Sequence, residues 1–175
     1  MITAHLEVTR RNLFDVGAEA LVNPVNTVGV MGAGLAKQFA ARWPAMVSDY
    51  QQACRSGDLR PGTVHAWLNP RAIPAEPTSV ACDEHGPLWD SSWVTPRWIV
   101  NVPTKRHWRD PSRLDDVEQG VAALAAWIAA VRPSWVAVPA LGCGLGGLPW
   151  PQVRDLTVAR LTDVPCRITI LEPPR

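Results

Sequence analysis

The stretch "ALVNPVNTVGVMGAGLAKQFAARW", residues 20–43, sets the grammar of the whole chain. Residues 18–23, "AEALVN", read as a buried strand. Gly29, Gly32 and Gly34 then open a loop. Residues 35–43 have helical spacing and stop at Pro44, whose ring cannot continue a helix. Strand, glycine loop, helix is one unit of an α/β layered protein. The unit recurs at "WVAVPALGCGLGGLPWP", residues 135–151, where four glycines separate a strand from a helix with Pro151 at its first position. A third unit joins the buried strand at 98–102 to the most regular helix of the chain. Leu114, Val117, Val121, Leu124, Ile128 and Val131 form that helix's apolar stripe.

The remaining segments fill in the pattern. Ile2, Ala4, Leu6 and Val8 alternate with polar residues, as in a half-buried strand near a sheet edge. A second helix is expected over 45–56 with Gly57 beyond its C-cap. Strands are expected at 63–68 and at "RITIL", 167–171. Ser112 and Asp115 have the spacing of a capping box. Residues 69–96, rich in Pro, Ser and acids, read as a surface insertion. The expected fold is one domain over 1–175, α/β, with three α/β/α layers around a mixed, mainly parallel central sheet.

Composition narrows the function classes. Hydrophobic residues make up 47% of the chain and charged residues 19%, which fits a compact fold with a full core. The 17 Lys and Arg against 16 Asp and Glu leave a net charge of +1, so any nucleic-acid contact must come from a local patch. One patch stands out: "TKRHWR", residues 104–109, directly after a buried strand. The N-terminus is not read as a signal peptide, and no apolar run reaches the ~18 residues of a membrane span. Cys54, Cys82, Cys143 and Cys166 lie far apart without a C-x-x-C pair, which fits reduced thiols in a cytoplasmic protein. Cys82 and His85 have no partners at zinc spacing, so no metal is expected.

In parallel sheets ligands bind where loops leave the carboxyl ends of strands. Three loops qualify here: those after Asn23, after Val102 and after Pro139. In "PALGCGLGG", glycines let backbone N–H groups converge on an anion, and the helix that follows presents its positive end. A diphosphate is the natural guest. Gly142, Gly144 and Gly147 match G-x-G-x-x-G, but only one strand follows, so a dinucleotide fold has no second half. No G-K-[ST] follows, which excludes a Walker A loop. In the first loop, Asn23 and Asn26 offer donors and acceptors suited to ribose hydroxyls. Two such loops on neighbouring strands suggest a ribose joined to a diphosphate.

"ALVNPVNTVGVMGAGLAKQF" together with "PALGCGLGGLPW" closely resembles the macrodomain family, the ADP-ribose-binding fold. "VNTVGVMGAGLA", "NVPTKRHWR" and "LGCGLGGLPW" look most like its DarG branch of DNA ADP-ribosyl glycohydrolases, related to terminal ADP-ribose protein glycohydrolase. The resemblance implies an ADP-ribose site. Asn12, where the family usually has an aspartate, and Leu13 would lie at the adenine. Asn26 and Thr27 would hold the distal ribose, and Gly32, Ala33, Gly34 and Leu35 the diphosphate and ribose. Gly142, Cys143, Gly144, Leu145, Gly146 and Gly147 would surround the diphosphate. Lys105 matches the lysine on which DarG-type catalysis depends, with Asn26 beside it. Gly146 aligns with an aspartate of the protein-acting relatives, and Pro149 replaces an aspartate common in DarG.

Crowding by Arg106, Arg109 and His107 would disfavour the ammonium form of Lys105 and make it a nucleophile or Schiff-base former. Held as a cation, it would instead stabilise the departing base. Arg106, His107, Trp108 and Arg109 supply the cations and the ring that hold single-stranded DNA. A Cys143–His107 nucleophile pair is a weaker reading than a small side chain in a tight loop. The expected reaction is removal of ADP-ribose from DNA bases, thymidine above all, without metal or redox cofactor. The rival readings are a hydrolase acting on ADP-ribosylated protein carboxylates and an ADP-ribose reader without turnover. ADP-ribosylated single-stranded DNA and a DarT-like transferase are the expected partners of a monomer that does not bind membrane.

Overall fold

The computed structural model describes residues 6–74 and 93–174. Six strands form one sheet: β1 (Leu6–Thr9), β2 (Ala20–Asn26), β3 (His65–Leu68), β6 (Trp98–Lys105), β7 (Trp135–Val138) and β8 (Arg167–Leu171). Their order is β1-β8-β7-β2-β6-β3, and only the β3–β6 pair is antiparallel. The sheet is therefore mixed and mainly parallel. β4 (Ile73–Pro74) and β5 (Trp93–Thr95) form a separate two-stranded ribbon at the two ends of the expected insertion. Residues 75–92, which include Cys82 and His85, lie outside the described residues.

The central strands are apolar on both faces because helices cover both. Val22, Val100, Val102, Val136, Val138, Ile168 and Ile170 pack against α3 (Leu114–Val131) and α4 (Trp150–Leu161). Leu21, Val25, Ile99 and Ala137 pack on the opposite side against α1 (Gly34–Arg42) and α2 (Pro44–Ser56). Three layers result. Pro44 opens α2, and Gly57 ends it in the left-handed conformation at φ 77°. Among the described residues no helix is long and apolar enough to cross a membrane.

Three expectations need correction. The strands expected to end at Asn23 and Val102 run on to Asn26 and Lys105. The capping box does not form: Arg113 is the N-cap residue of α3 and makes no side-chain cap, while Ser112 is buried and its Oγ has no hydrogen-bond partner among the described residues. α4 begins at Trp150, so Pro151 is its second residue.

Two features of the core generate predictions. α3 lies so close to β6 that a Cβ at Gly120 would meet Val102 Cγ1 at 2.8 Å. Alanine gains about 1 kcal/mol of helix propensity over glycine, but overpacking a buried contact costs about 1–3 kcal/mol. Gly120→Ala is therefore expected to lower the urea midpoint without changing the m-value. Beneath the first glycine loop, Asn23 Nδ2 donates to Asn101 Oδ1 at 2.9 Å, and Asn101 Nδ2 donates to His65 Nδ1 at 3.1 Å. Burial lowers the pKa of His65 below its ordinary 6.5, against a smaller opposing pull from Asp49 on α2. The unfolded chain then binds a proton that the folded chain resists, so this contribution is complete above pH 6.5 and is lost as pH falls. Denaturation at pH 7.5 and pH 5.5 should show lower stability at pH 5.5, with the difference reduced in His65→Gln.

Candidate functional site

At the carboxyl ends of the parallel strands a cleft of about 1180 Å³ runs along the edge of the sheet. The β2–β6 pairing builds its centre. Pro24 pairs with Val102 and Val25 with Pro103, but Asn26 pairs with Lys105, so Thr104 is an extra residue in β6. This bulge sets Asn26 and Lys105 side by side where both strands end.

Asn26 organises the first loop. Its Oδ1 accepts from the backbone N–H of Val28 at 3.1 Å and of Val30 at 3.2 Å, and its Nδ2 donates to the Val30 carbonyl at 2.6 Å. The buried Tyr50 hydroxyl donates to the Asn26 carbonyl at 2.9 Å and also lies 3.0 Å from Oδ1. Burial pushes the Tyr50 phenol far up, so it keeps its proton. The Oδ1 acceptor capacity is thus filled from within, and one Nδ2 N–H is left to face a ligand. Thr27 turns away from the cleft, its Oγ1 donating to the Arg106 carbonyl at 2.7 Å. Asn23 does not reach the cleft either, being wholly buried in the network under the loop. Gly32, Ala33, Gly34 and Leu35 line the wall as expected, where α1 begins without a side-chain cap. A helix start with open N–H groups is an anion site.

The second loop is shaped by its own carbonyls. Gly142 O accepts from Leu148 N at 3.0 Å, Gly144 O from Gly147 N at 3.0 Å, and Gly146 O from Ser112 N at 2.9 Å. The N–H groups of Gly144, Leu145 and Gly146 donate to nothing among the described residues. Three successive free amides beside a helix start form an anion nest. Gly142 and Gly147 adopt φ of 73° and 76°, open to glycine at no steric cost. A Cβ at Gly146 would lie 2.1 Å from Ser112 Oγ and 2.4 Å from the Gly142 carbonyl, so the backbone here excludes any side chain. Gly147 and Cys143 do not line the cleft. Burial pushes the Cys143 thiol up to about 11, and its Sγ–H points to the Leu141 carbonyl, which fits a small inert side chain.

Lys105 closes one end. Its Nζ donates to the Leu145 carbonyl of the second loop at 2.8 Å and is 3.3 Å from the Trp108 carbonyl. The expected crowding by neighbouring cations takes another form. Arg106 is turned away into a two-bond pair with Asp116, at 2.9 and 3.0 Å, in the first turn of α3. Trp108 lines the cleft and is 45% exposed, with the His107 ring stacked on it at 5.3 Å and the Arg109 guanidinium 4.5 Å from its centroid. The half-buried His107 and the exposed Trp108 and Arg109 thus form one stacked layer, of which Trp108 lines the cleft.

The other end is lined by Asn12, Leu13 and Phe14 and by residues the sequence reading missed: Arg10, Arg11 and the tail Leu171–Pro174. Asn12 Oδ1 accepts from Phe14 N at 3.0 Å and caps the short 3-10 turn Leu13–Asp15. The missed residues follow β1 and β8, whose carboxyl ends share the same edge of the sheet. Applying the strand-end rule to all the strands would have found them.

The Macro domain family matches residues 88–157. A DNA ADP-ribosyl glycohydrolase of Thermus aquaticus is 41% identical over 150 residues, 86% of this chain and 36% of the relative. This chain thus spans about a third of that relative's length. Among solved structures, the macrodomain of Thermus aquaticus DarG superposes with a TM-score of 0.81 at 37% identity, covering 97% of this chain and 99% of that one. Thermosipho africanus DarTG in complex with ADP-ribose matches with a TM-score of 0.79 at 29% identity, over 99% of this chain and 43% of the other. With the fold, the paired glycine loops and these likenesses agreeing, the chain belongs to the macrodomain family, on its DarG-like branch.

Proposed function

We propose that this chain is a DNA ADP-ribosyl glycohydrolase, removing ADP-ribose from nucleobases, thymidine in particular. The observation that carries the reading is Lys105 Nζ, fixed at one end of a cleft whose middle is two facing sets of open backbone amides. A diphosphate on those amides directs the distal ribose to the Lys105 end and the adenosine to the Asn12 end. Asn26 enters as a positioning residue, with its one open N–H toward the distal ribose. The names of the Thermus aquaticus and Thermosipho africanus relatives favour DNA as the bearer of the modification and a DarT-like transferase as its source.

In the proposed hydrolysis, water oxygen bonds to the anomeric carbon. The N-glycosidic electron pair leaves with the base, which takes up a proton. Lys105 serves this reaction as a donor that stabilises the departing base, or as a neutral amine that displaces the base at the anomeric carbon, passes with ring opening to a Schiff base, and is released when water adds to that carbon. Borohydride reduction during turnover separates the two routes, because only the second leaves a reduced adduct on Lys105. His107, Trp108 and Arg109 hold the DNA strand at the mouth by stacking and charge. Arg106, paired with Asp116, supports that turn from behind.

A hydrolase that uses an acid in the second loop fits poorly. The backbone at Gly146 has no room for a Cβ, let alone a carboxylate. ADP-ribosylated thymidine oligonucleotide and glutamate-ADP-ribosylated protein, offered in parallel, should show release from the DNA alone.

Lys105→Ala should keep ADP-ribose binding by calorimetry and lose release from modified oligonucleotide by roughly 100-fold or more, the scale of removing one preorganised donor. Full release by the variant would remove Lys105 from the mechanism. No release by the unaltered chain would leave a reader of ADP-ribose. Trp108→Ala should raise KM for modified oligonucleotide about 5- to 100-fold, matching a lost stack of ~1–3 kcal/mol, and change free ADP-ribose binding much less. Equal effects on both would refute the stacking role.

A further inference from the structure

Asp116, the third residue of α3, is only 3% exposed. Burying a carboxylate is costly unless it is paired. Its hydrogen-bond partner among the described residues is Arg106, which donates from Nε to Oδ2 at 2.9 Å and from Nη2 to Oδ1 at 3.0 Å. A two-bond fork of this kind fixes the direction of the guanidinium plane as well as its place. Neither residue lines the cleft. The pair can therefore act on a ligand there only through the residues it holds.

What it holds is the turn that leaves β6. Arg106 follows Lys105 directly, and its carbonyl accepts from Thr27 Oγ1 of the first loop at 2.7 Å. Asp110 N donates to the His107 carbonyl at 3.1 Å and closes the turn. Trp108, inside it, lines the cleft, and its carbonyl lies 3.3 Å from Lys105 Nζ. One residue thus offers a ring to a base and a carbonyl to the amine. The open amides in the middle of the cleft belong to other segments, the start of α1 and residues 144–146. Loosening the fork would shift the ring and the amine and leave those amides in place.

Resting on the release from DNA in the proposed function, we propose that Asp116 is a positioning residue for that reaction. Through Arg106 it sets the turn at 106–110, and so places Lys105 Nζ and the Trp108 ring relative to each other. Free ADP-ribose, held by the amides, does not need the pair. A base stacked on Trp108 does, because its glycosidic bond must stand at a fixed distance from Nζ. A misplacement of about 1 Å at a reacting group can cost about 100-fold in rate.

The test is single-turnover release of ADP-ribose from modified thymidine oligonucleotide, beside calorimetry with free ADP-ribose. It uses the unaltered chain, Asp116→Asn, Arg106→Lys and the double variant. Asp116→Asn keeps the shape of the buried side chain, and Arg106→Lys keeps the charge but loses the fork, so the pair is still probed if one of them folds poorly. Each single variant is expected to slow release about 10- to 100-fold. The double variant should fall no more than about threefold below the slower single, since both break the same contact. The dissociation constant for ADP-ribose should stay within about twofold throughout. Unchanged release by either folded single variant would overturn the inference alone. So would a loss of ADP-ribose affinity equal to the loss of release, because a merely structural pair weakens both. No release by the unaltered chain would overturn the proposed function together with the inference.

Discussion

One rung of the sheet holds the site together. Because β6 carries an extra residue at Thr104, Asn26 and Lys105 stand opposite each other where the two central strands stop. Each then ties down a different loop. Asn26 gathers Val28 and Val30 with its amide, backed by Tyr50 from α2. Lys105 reaches the Leu145 carbonyl, and Thr27 closes the next step by bonding to the Arg106 carbonyl. The loops also touch directly, since a Cβ at Gly34 would lie 3.4 Å from Leu145 Cδ1. The two cradles are therefore not independent flexible loops on a common scaffold. Their separation is fixed by the strand pairing beneath them.

The same arrangement shows how little of the basic run's charge is turned into the cleft. The basic run 104–109 reads as a concentration of charge, yet Arg106 is paired with the buried Asp116, which is 3% exposed, and Arg109 sits on Trp108. What lines the middle of the cleft is backbone: the start of α1 and the amides of Gly144, Leu145 and Gly146. Oriented amides add a favourable field without adding net charge and need no reorganisation when the ligand arrives. In the proposed function the side-chain charge of Arg109 serves the nucleic-acid strand rather than the diphosphate.

The layered fold was legible because β2, β6, β7 and β8 are buried on both faces and so appear as apolar runs. Their ends were not. Pro24 and Pro103 lie just beyond the expected ends, and proline cannot donate within a sheet. Both are tolerated because the neighbouring strands have already ended: β7 pairs with β2 only at Ala20 and Leu21, and β3 pairs with β6 no further than Asn101. Those extra residues are the ones that place Asn26 and Lys105. Ser112 failed as a cap for a tertiary reason, being drawn under the second loop against Gly142 and Gly146. The glycine loops, whose Gly32, Gly34, Gly142, Gly144 and Gly146 do line the cleft, were legible as places where the main chain lies bare. Arg10, Arg11 and the 171–174 tail were not, since only the adjacency of β1 and β8 brings residues about 160 positions apart together.

The interlock of Ser112 with Gly146 has an evolutionary corollary. Replacing the glycine alone forces a steric clash with both the serine and the Gly142 carbonyl. Removing the serine alone leaves the carbonyl in the way. A lineage that wandered from this loop toward one bearing an acid would have to pass through at least one poorly folded ancestor. This corner of the protein should therefore act as a ratchet, resisting the gain of any side chain at Gly146 even where the surrounding surface changes freely.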